Sequence, residues 1–209
     1  ALAHGVATIT LNRPEVRNAI HDAMRSDLIT AFEWADAVPD VRAVVLTGAG
    51  KGFCSGGDIT GMRARLEVPQ GEVAFNGWKR QKQTHRGIAV IHHMSKPVVA
   101  AVNGAAFGLG LDMALCCDFI IAANGAKLSM SFIKRGLVSD GGGMYFLPRR
   151  VGLPRAKELI LTARVIEAAE ALSIGMVDRV ADADTLLAEA QAWAAELGQG
   201  SSAAVALTK

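Results

Sequence analysis

The fold of this chain is decided by residues 98–112, which read V-V-A-A-V-N-G-A-A-F-G-L-G-L-D. The stretch opens behind Pro97 with a short apolar run that is typical of a buried strand. A loop with glycines at 104, 108 and 110 follows, and an apolar pattern from Leu111 predicts a buried helix. The first N–H groups of a helix have no partner within it. The order strand, glycine loop and helix start therefore predicts a corner that donates hydrogen bonds to a ligand.

A second corner of the same kind lies upstream. Residues 41–46 have the pattern of a buried strand, residues 48–57 form the glycine-rich loop G-A-G-K-G-F-C-S-G-G, and Asp58 begins a helix. Two corners that each supply free N–H donors are the parts of an oxyanion hole, and glycine lets the backbone approach a ligand closely. The predicted donors are the N–H groups of Gly57 and Leu109, where the dipole of the following helix adds to the attraction.

Two acids beside glycine loops are candidates for proton transfer to or from a bound substrate. Asp112 closes the first stretch, and Asp140 lies in a further glycine-rich segment at 136–143, G-L-V-S-D-G-G-G. A general acid or base must lie within hydrogen-bond reach of the proton it moves. Structural interpretations stand beside these. A glycine loop before a helix is most often only a tight connection, and Asp58 and Asp112 are also typical of a first helical turn.

The rest of the chain alternates strands with helices, which predicts an α/β fold. Further strands are predicted at 5–11, 119–123, 126–129 and 177–180. Helices are predicted at 19–37 with Asn18 as N-cap, at 72–94, from behind the 136–143 loop to Pro148, and at 155–162, 167–173 and 184–197. Charge together with Pro69 and Gly71 predicts a mobile loop at 62–72.

Composition argues against several classes of function. The 209 residues are 51% apolar and 20% charged, which is ordinary for a soluble globular domain, and the net charge of +2 gives no argument for nucleic acid or membrane binding. No apolar run reaches the roughly 18 residues of a membrane span, and no secretory signal pattern is visible, so we expect a cytoplasmic protein. The three cysteines lack disulfide or metal spacing, so we expect reduced thiols and no metal site: Cys54, Cys116 and Cys117.

Spacing also argues against other familiar motifs. The glycines at 104, 108 and 110 do not form a dinucleotide fingerprint, and Gly48-x-Gly50-Lys51 lacks the spacing of a phosphate-binding P-loop. Ser55 is not in a G-x-S-x-G elbow, and Cys54 has no neighbouring histidine base. The basic side of residues 79–86 is more typical of a solvated helix face than of a binding patch.

Four motifs taken together resemble the enoyl-CoA hydratase/isomerase (crotonase) superfamily. They are N-R-P-x-x-x-N-A at 12–19, G-F-C-S-G-G-D-I at 52–59, the stretch at 98–112, and G-L-V-S-D-G-G-G-x-Y-F-L-P-R at 136–149. They stand in the family's order and cover nearly the whole chain. The resemblance implies a single crotonase-like domain over 1–209. Its spiral of repeated β-β-α units would span about 1–150, and its helical C-terminal region, from about 151, is expected to continue beyond Lys209.

The resemblance also implies the chemistry. It implies acyl-CoA thioester substrates, no metal, and no cofactor apart from the coenzyme A that is part of the substrate. It implies a homotrimer or a hexamer of two trimers, and no nucleic-acid or membrane partner. The family's oxyanion donors fall at Gly57 and Leu109, the pair already chosen from the glycine corners. Its CoA-binding positions fall at Val16, Arg17, Ala19, Ser55, Gly56, Gly57, Asp58, Ile59 and Leu109.

Departures from the family's hydratases point toward a different reaction. Their two glutamates fall at Asp112, a shorter acid, and at Phe132, which cannot transfer a proton. Ser139-Asp140 replaces their Pro-Gly pair, and an acid at this place resembles the isomerases of ring epoxides of phenylacetyl-CoA, of dienoyl-CoA and of Δ3,Δ2-enoyl-CoA. Hydration asks for two acid/base groups, whereas one carboxylate can run a 1,3-proton shift. We therefore favour an isomerase with Asp140 as acid/base and Asp112 assisting.

Two alternatives stay open. The first is an enoyl-CoA hydratase, a hydro-lyase in which Asp112 and Asp140 take the place of the glutamate pair. The second is a non-catalytic acyl-CoA-binding or RNA-binding relative that uses the basic 79–86 face. No pattern identifies the acyl group, although the variable region 59–78 is expected to shape its pocket.

Overall fold

The computed structural model describes residues 1–64 and 67–209, with the side chains of 62–64 left aside. Its strands are β1 (Leu2–Ala3), β2 (Val6–Leu11), β3 (Ala43–Gly48), β4 (Gly52–Cys54), β5 (Val98–Val102), β6 (Ala105–Phe107), β7 (Phe119–Ala123), β8 (Lys127–Ser129), β9 (Ile166–Glu167) and β10 (Arg179–Ala181). Its helices are α1 (Asp22–Ala37), α2 (Ile59–Ala64), α3 (Gln70–His92), α4 (Leu109–Leu115), α5 (Gly143–Val151), α6 (Leu153–Thr162), α7 (Ala168–Ser173), α8 (Leu186–Leu197) and α9 (Ser202–Thr208).

The larger sheet has six strands in the order β1-β2-β3-β5-β7-β10. Its neighbouring strands are parallel, apart from the antiparallel pair of β1 and β2. Every residue of β3 and β5 is buried, which fits their nearly continuous apolar sequence, because a parallel sheet is covered on both faces. Helix α8 packs against these two central strands, while α1 and α3 pack against each other.

A smaller sheet has four short strands in the order β4-β6-β8-β9. Strands β4 and β6 fall inside stretches predicted as loops, and that part of the prediction was wrong. Each has three residues, too few to show the alternation that identifies a strand. The chain gives one strand to the larger sheet, the next to the smaller sheet and then a helix, as in β3-β4-α2 and β5-β6-α4. This is the α/β spiral of β-β-α units that the sequence predicts.

Asn18 is not the cap of the first helix, which corrects the prediction of a helix from residue 19. Helix α1 begins at Asp22, and its cap is His21, whose Nδ1 accepts the Met24 N–H at 3.1 Å. Asn18 is fully buried, with a positive φ of 57°. Asparagine suits both an N-cap and a left-handed backbone position, so its identity alone could not separate them.

The side chain of Asn18 fastens the first glycine corner. Its Nδ2 donates to the carbonyls of Ala49, Gly52 and Phe53 at 2.9, 2.8 and 3.1 Å, and its Oδ1 accepts the Arg13 N–H at 2.8 Å. One buried amide therefore holds the turn that leads into β4, and with it the position of the corner that follows.

We expect Asn18→Ala to lower the free energy of unfolding by about 3 kcal/mol, because buried acceptors in the turn lose their donor. For a chain of this size the melting temperature would fall by about 10 °C. Thermal unfolding followed by circular dichroism measures this shift. Asn124→Ala is the matched control, since Asn124 is exposed and is expected to change little. Equal shifts in the two variants would contradict the role given to Asn18.

The C-terminal part differs from its prediction in several places. Helix α5 runs through Pro148, where the sequence predicted an end, because its buried residues Phe146, Leu147 and Val151 anchor it on both sides of the proline. Residues 166–181 add one strand to each sheet: β10 corresponds to the strand predicted at 177–180, whereas β9 was not predicted. Helix α9 was not predicted. The predicted loop at 62–72 is described only in part: 62–64 belong to α2, α3 already begins at Gln70, and residues 65 and 66 lie outside the described residues.

Candidate active site

The two glycine corners lie side by side because β4 and β6 pair as parallel strands. Parallel neighbours end at the same edge of a sheet, so the chain leaves both strands at one place. It leaves each through a glycine with positive φ, which is 102° at Gly56 and 52° at Gly108. A Cβ built on Gly56 would lie 3.7 Å from the amide nitrogen of Leu109. The corner that ends in Gly57 therefore borders the start of α4.

The N–H groups of Gly57 and Leu109 donate to no acceptor in residues 1–64 and 67–209. Leu109 is the first residue of α4, and the first amides of a helix have no partner within it. Gly57 forms an isolated bridge with Ile20, but the hydrogen bonds of that bridge belong to the neighbours Gly56 and Asp58. Both predicted oxyanion donors are thus available for a ligand, on adjoining segments.

Apart from Leu109, the positions that the resemblance assigns to CoA lie on two adjacent segments, 16–20 and 55–59. The Ser55 N–H donates to the carbonyl of Arg17 at 2.9 Å, and the two backbone groups of Ile20 bond to the second segment at 2.8 and 3.0 Å. The structure therefore brings these predicted positions together along one edge. Side chains exposed to solvent at this edge are Val16, Arg17 and Ile59. Ala19 is buried beneath them.

The carboxylate of Asp58 forms an ion pair with Arg13. Nη1 of Arg13 donates to Oδ2 of Asp58 at 3.0 Å and to the carbonyl of Ala19 at 2.7 Å, while the N–H of Thr60 donates to Oδ1 of Asp58 at 3.0 Å. The hydrogen bond from Arg13 holds the pKa of Asp58 below its ordinary value. The carboxylate is therefore ionised at neutral pH, and it ties the first segment to the second.

Asp112 is fully buried, and its carboxyl group holds the loop that carries Asp140. The Gly141 N–H donates to Oδ2 of Asp112 at 3.0 Å, and the hydroxyl of Ser139 donates to Oδ1 at 3.3 Å. Burial raises the pKa of Asp112 to about 8, although the hydrogen bond from Ser139 lowers it. Asp112 is therefore mostly a neutral acid at pH 7. Its contacts favour a role in holding the loop, and direct proton transfer by Asp112 stays a prediction.

The raised pKa of Asp112 has a consequence for stability. In the unfolded chain this carboxyl group ionises near pH 4, whereas in the folded protein it ionises near pH 8. Between these values the folded state holds one more proton than the unfolded state, so the free energy of unfolding falls as the pH rises. The contribution of protonated Asp112 to the free energy of unfolding is largest at low pH and is lost by about pH 8. This loss is on the order of a few kcal/mol.

We expect Asp112→Asn to remove this pH dependence, since its amide keeps one acceptor for the loop and cannot ionise. Denaturant unfolding of both proteins from about pH 5 to about pH 9 measures the difference in stability. The free energy of unfolding of the variant should rise relative to that of the wild type as the pH increases. The difference between the two should become constant above about pH 8. A difference that stays constant over the range would show that Asp112 ionises normally in the fold.

Asp140 lies partly exposed in the wall of a cavity of about 740 Å³ between α3 and α5. Its carboxylate has no hydrogen-bond or ion-pair partner among the residues that the structure describes. A Cβ built on the next residue, Gly141, would lie 2.6 Å from both Oδ2 of Asp112 and Cδ1 of Leu109. The loop that carries Asp140 therefore packs directly on the start of α4.

The side chain of Ile88 borders two cavities near the predicted site. One is the cavity of Asp140, and the other, of about 10 Å³, borders Leu109 and Met113. The larger cavity is otherwise walled mainly by apolar and aromatic groups: Ala89, His92, Val138, Met144, Tyr145 and Phe146. Ile88 therefore links the surroundings of Asp140 to the start of α4.

Comparison with known proteins decides the family. The model for the family described as enoyl-CoA hydratase/isomerase matches residues 2–209. The chain belongs to this family. It is 38% identical to the 1,2-epoxyphenylacetyl-CoA isomerase of Escherichia coli over 193 residues, which is 92% of this chain and 72% of that protein. The match to a Bacillus subtilis relative, at 41% identity, covers 83% of this chain and 65% of that protein.

Solved structures of the family have the same fold. An enoyl-CoA hydratase from Bacillus anthracis superposes with a TM-score of 0.88 at 32% identity, covering 98% of this chain and 77% of that one. A monofunctional enoyl-CoA isomerase from Mycobacterium smegmatis superposes with a TM-score of 0.81 at 36% identity, covering 98% and 85%. The named relatives include both hydratases and isomerases, so this chain is an enzyme of a family with both activities.

The resemblance places Phe132 at the second acid of the family's hydratases, and this correspondence stays a prediction. Phe132 packs against the second glycine corner, where a Cβ on Gly108 would lie 3.7 Å from its ring. The thiols offer no substitute for that acid. All three cysteines are buried and unpaired, and burial raises the pKa of Cys54 to about 12, which leaves it un-ionised at neutral pH.

Other site types find no support in the described part of this family member. Within residues 1–64 and 67–209, no group of three or more histidine, cysteine or acidic side chains is arranged to hold a metal ion. No helix there combines the length and the apolarity needed to cross a bilayer.

Gln81 and His85 belong to the site, and the sequence did not identify them. Both side chains contact the carbonyl of Asp140, from Nε2 of Gln81 at 3.2 Å and from Nε2 of His85 at 3.0 Å. The available signal was their spacing of four residues on α3, which places them on one helix face. Their partner is a backbone atom more than fifty residues away, which no pattern along the chain indicates.

Proposed function

We propose that this family member isomerises the double bond of an enoyl-CoA thioester, with Asp140 as its acid and base. The observation that carries the proposal is the pair formed by residues 132 and 140. By the family resemblance, Phe132 falls where a hydratase has its second glutamate. The partly exposed carboxylate of Asp140 has no partner among the described residues and lies in the cavity wall. A reaction that needs a single proton carrier suits this arrangement.

The reaction begins with the thioester carbonyl between the amides of Gly57 and Leu109. These donors stabilise the negative charge that develops on oxygen when a proton leaves carbon 2. The carboxylate of Asp140 takes that proton and returns it to carbon 4 of the dienolate, so a 3-enoyl thioester becomes a 2-enoyl thioester. Atoms and charge balance without water or a cofactor, and coenzyme A stays attached throughout.

Asp112 supports the reaction by holding the loop of Asp140. It is neutral at pH 7, fully buried, and bonded to Ser139 and Gly141 on either side of Asp140. Ile88 lines cavities at both Leu109 and Asp140, so we expect it to border the acyl chain between them.

Hydration is the alternative, and the neutral Asp112 favours it. A protonated acid can supply a proton to carbon while the side chain of Asp140 activates water. Relatives of this chain are named as enoyl-CoA hydratases, among them that of Bacillus anthracis.

Two substrates separate the activities. The purified protein is given trans-3-hexenoyl-CoA, and the rise in absorbance of the conjugated thioester is followed. Crotonyl-CoA is given in parallel, and loss of that absorbance reports hydration. We expect turnover of the first substrate and slow or no turnover of the second. Fast hydration with no isomerisation would overturn the proposal and establish the alternative.

We also propose that the chain forms a homotrimer. Eight large apolar side chains are exposed along residues 133–165, and an exposed apolar surface can mark an interface with another protein. They are Ile133, Leu137, Val138, Met144, Tyr145, Leu153, Leu161 and Val165. Light scattering coupled to size-exclusion chromatography should give three times the mass of the chain, or six times for paired trimers. A monomeric mass would contradict this proposal.

A further inference from the structure

The peptide group between Asp140 and Gly141 is held at both of its ends. Its carbonyl oxygen lies 3.2 Å from Nε2 of Gln81 and 3.0 Å from Nε2 of His85, both on α3. Its N–H donates to Oδ2 of Asp112 on α4 at 3.0 Å. A peptide group is planar, so fixing both ends fixes its orientation. The Cα of Asp140 belongs to this plane, so the point from which its side chain leaves the backbone is held as well.

Either of the two α3 side chains can hold the carbonyl without the other. Nε2 of Gln81 and Nε2 of His85 also lie 2.8 Å apart. With its proton on Nε2, His85 donates to the carbonyl itself. With its proton on Nδ1, His85 accepts one N–H of Gln81 through Nε2, and the second N–H of Gln81 donates to the carbonyl. The carbonyl has a donor in both tautomers.

We propose that Gln81 and His85 are positioning residues that act through the backbone of Asp140, and that either one can replace the other as donor to its carbonyl. The inference rests on the proposed role of Asp140 as acid and base. A carboxylate on a glycine-rich loop has freedom to turn away from the substrate, since Gly141 and Gly142 follow it directly. The hydrogen bonds from Gln81 and His85 to the Asp140 carbonyl, here called the α3 clamp, restrict that freedom. Proton transfer depends on hydrogen-bond reach, so the loss of both donors affects turnover more than substrate binding.

The two residues lie at the surface of α3, so their replacement should leave the fold intact. Gln81 is partly buried and His85 is exposed. The side chains are therefore open to a double-mutant cycle with Gln81→Leu and His85→Leu, in which a circular dichroism melt confirms folding of each variant. Gln83→Leu is the matched control, an exposed glutamine on the same helix that has no contact with Asp140.

Because each donor replaces the other, we expect each single variant to lower kcat only about threefold and the double variant to lower it about 50-fold. KM for the 3-enoyl thioester should stay within about twofold of the wild type. Returning an amide donor, as Gln81→Leu with His85→Gln, should restore most of the lost kcat, which a merely structural role would not do.

Three results would overturn the inference: a double variant whose loss equals the product of the single losses, a change confined to KM, or no rescue by His85→Gln. The test separates this inference from the function on which it rests. If Asp140→Asn leaves turnover intact, the proposed role of Asp140 fails. If Asp140→Asn removes turnover while the double variant keeps it, the positioning role of the α3 clamp is contradicted and the role of Asp140 is not.

Discussion

Replacing Asp140 by asparagine should lower kcat for isomerisation of a 3-enoyl-CoA by about 10³-fold, since a positioned acid/base group contributes that order of rate. Asparagine has the size and planarity of the carboxylate but cannot carry the proton. The side chain has no protein partner in the described residues, so its replacement should leave the loop in place. Loss of turnover should therefore come without loss of structure.

Two measurements check this result together. Steady-state kinetics gives kcat, and isothermal titration with a saturated acyl-CoA gives the dissociation constant. That constant should stay within about twofold of the wild-type value, because the resemblance does not place Asp140 among the CoA contacts. Asp184→Asn, at an exposed acid outside the site, is the control and should keep full activity. Undiminished turnover in Asp140→Asn would remove Asp140 from the mechanism.

The second large effect should come from Gly108→Ala. The backbone at Gly108 has φ 52° and ψ −122°, a conformation that an L-residue adopts only with strain. A Cβ there would also lie 3.3 Å from Oγ of Ser131, so the corner must shift and move the amide of Leu109 with it. Loss of one oxyanion donor lowers kcat by about 10²–10³-fold, and we expect a fall of that order.

Gly152→Ala is the matched control for this variant. Gly152 has a similarly restricted backbone, at φ 80° and ψ 154°, but a Cβ there meets no atom within 4 Å and the residue lies between α5 and α6. Both variants should lose stability, and only Gly108→Ala should lose turnover. Equal losses of kcat in the two variants would show that strain in the chain, and not the donor at Leu109, explains the effect.

The sequence indicated the two glycine corners, but not why they lie side by side. Glycines before helices identified Gly57 and Leu109, because unpaired amides at a helix start are a local property. The reason for their proximity was not visible. It lies in β4 and β6, whose three residues each are too short to show a period. The role of Asn18 was assigned wrongly for a related reason, since the carbonyls it holds lie more than thirty residues away.

Asp140 and Asp112 also differ in a way that the sequence could not show. Both acids stood out as carboxylates beside glycine loops, and from that pattern alone either could transfer the proton. Their difference comes from burial. Asp112 is enclosed with its carboxyl group bonded to the loop, whereas the carboxylate of Asp140 lies in an open cavity without a partner among the described residues. Burial depends on tertiary packing, so it could be assigned only from the structure.

The central claim is that two backbone amides, one from each glycine corner, donate hydrogen bonds to the same thioester oxygen. A crystal structure of the protein with a saturated acyl-CoA, which binds but cannot isomerise, tests it directly. We expect the thioester oxygen at about 2.7–3.1 Å from the amide nitrogens of both Gly57 and Leu109, with Asp140 facing carbon 2. A thioester oxygen that bonds to neither amide, or to only one of them, would contradict the account.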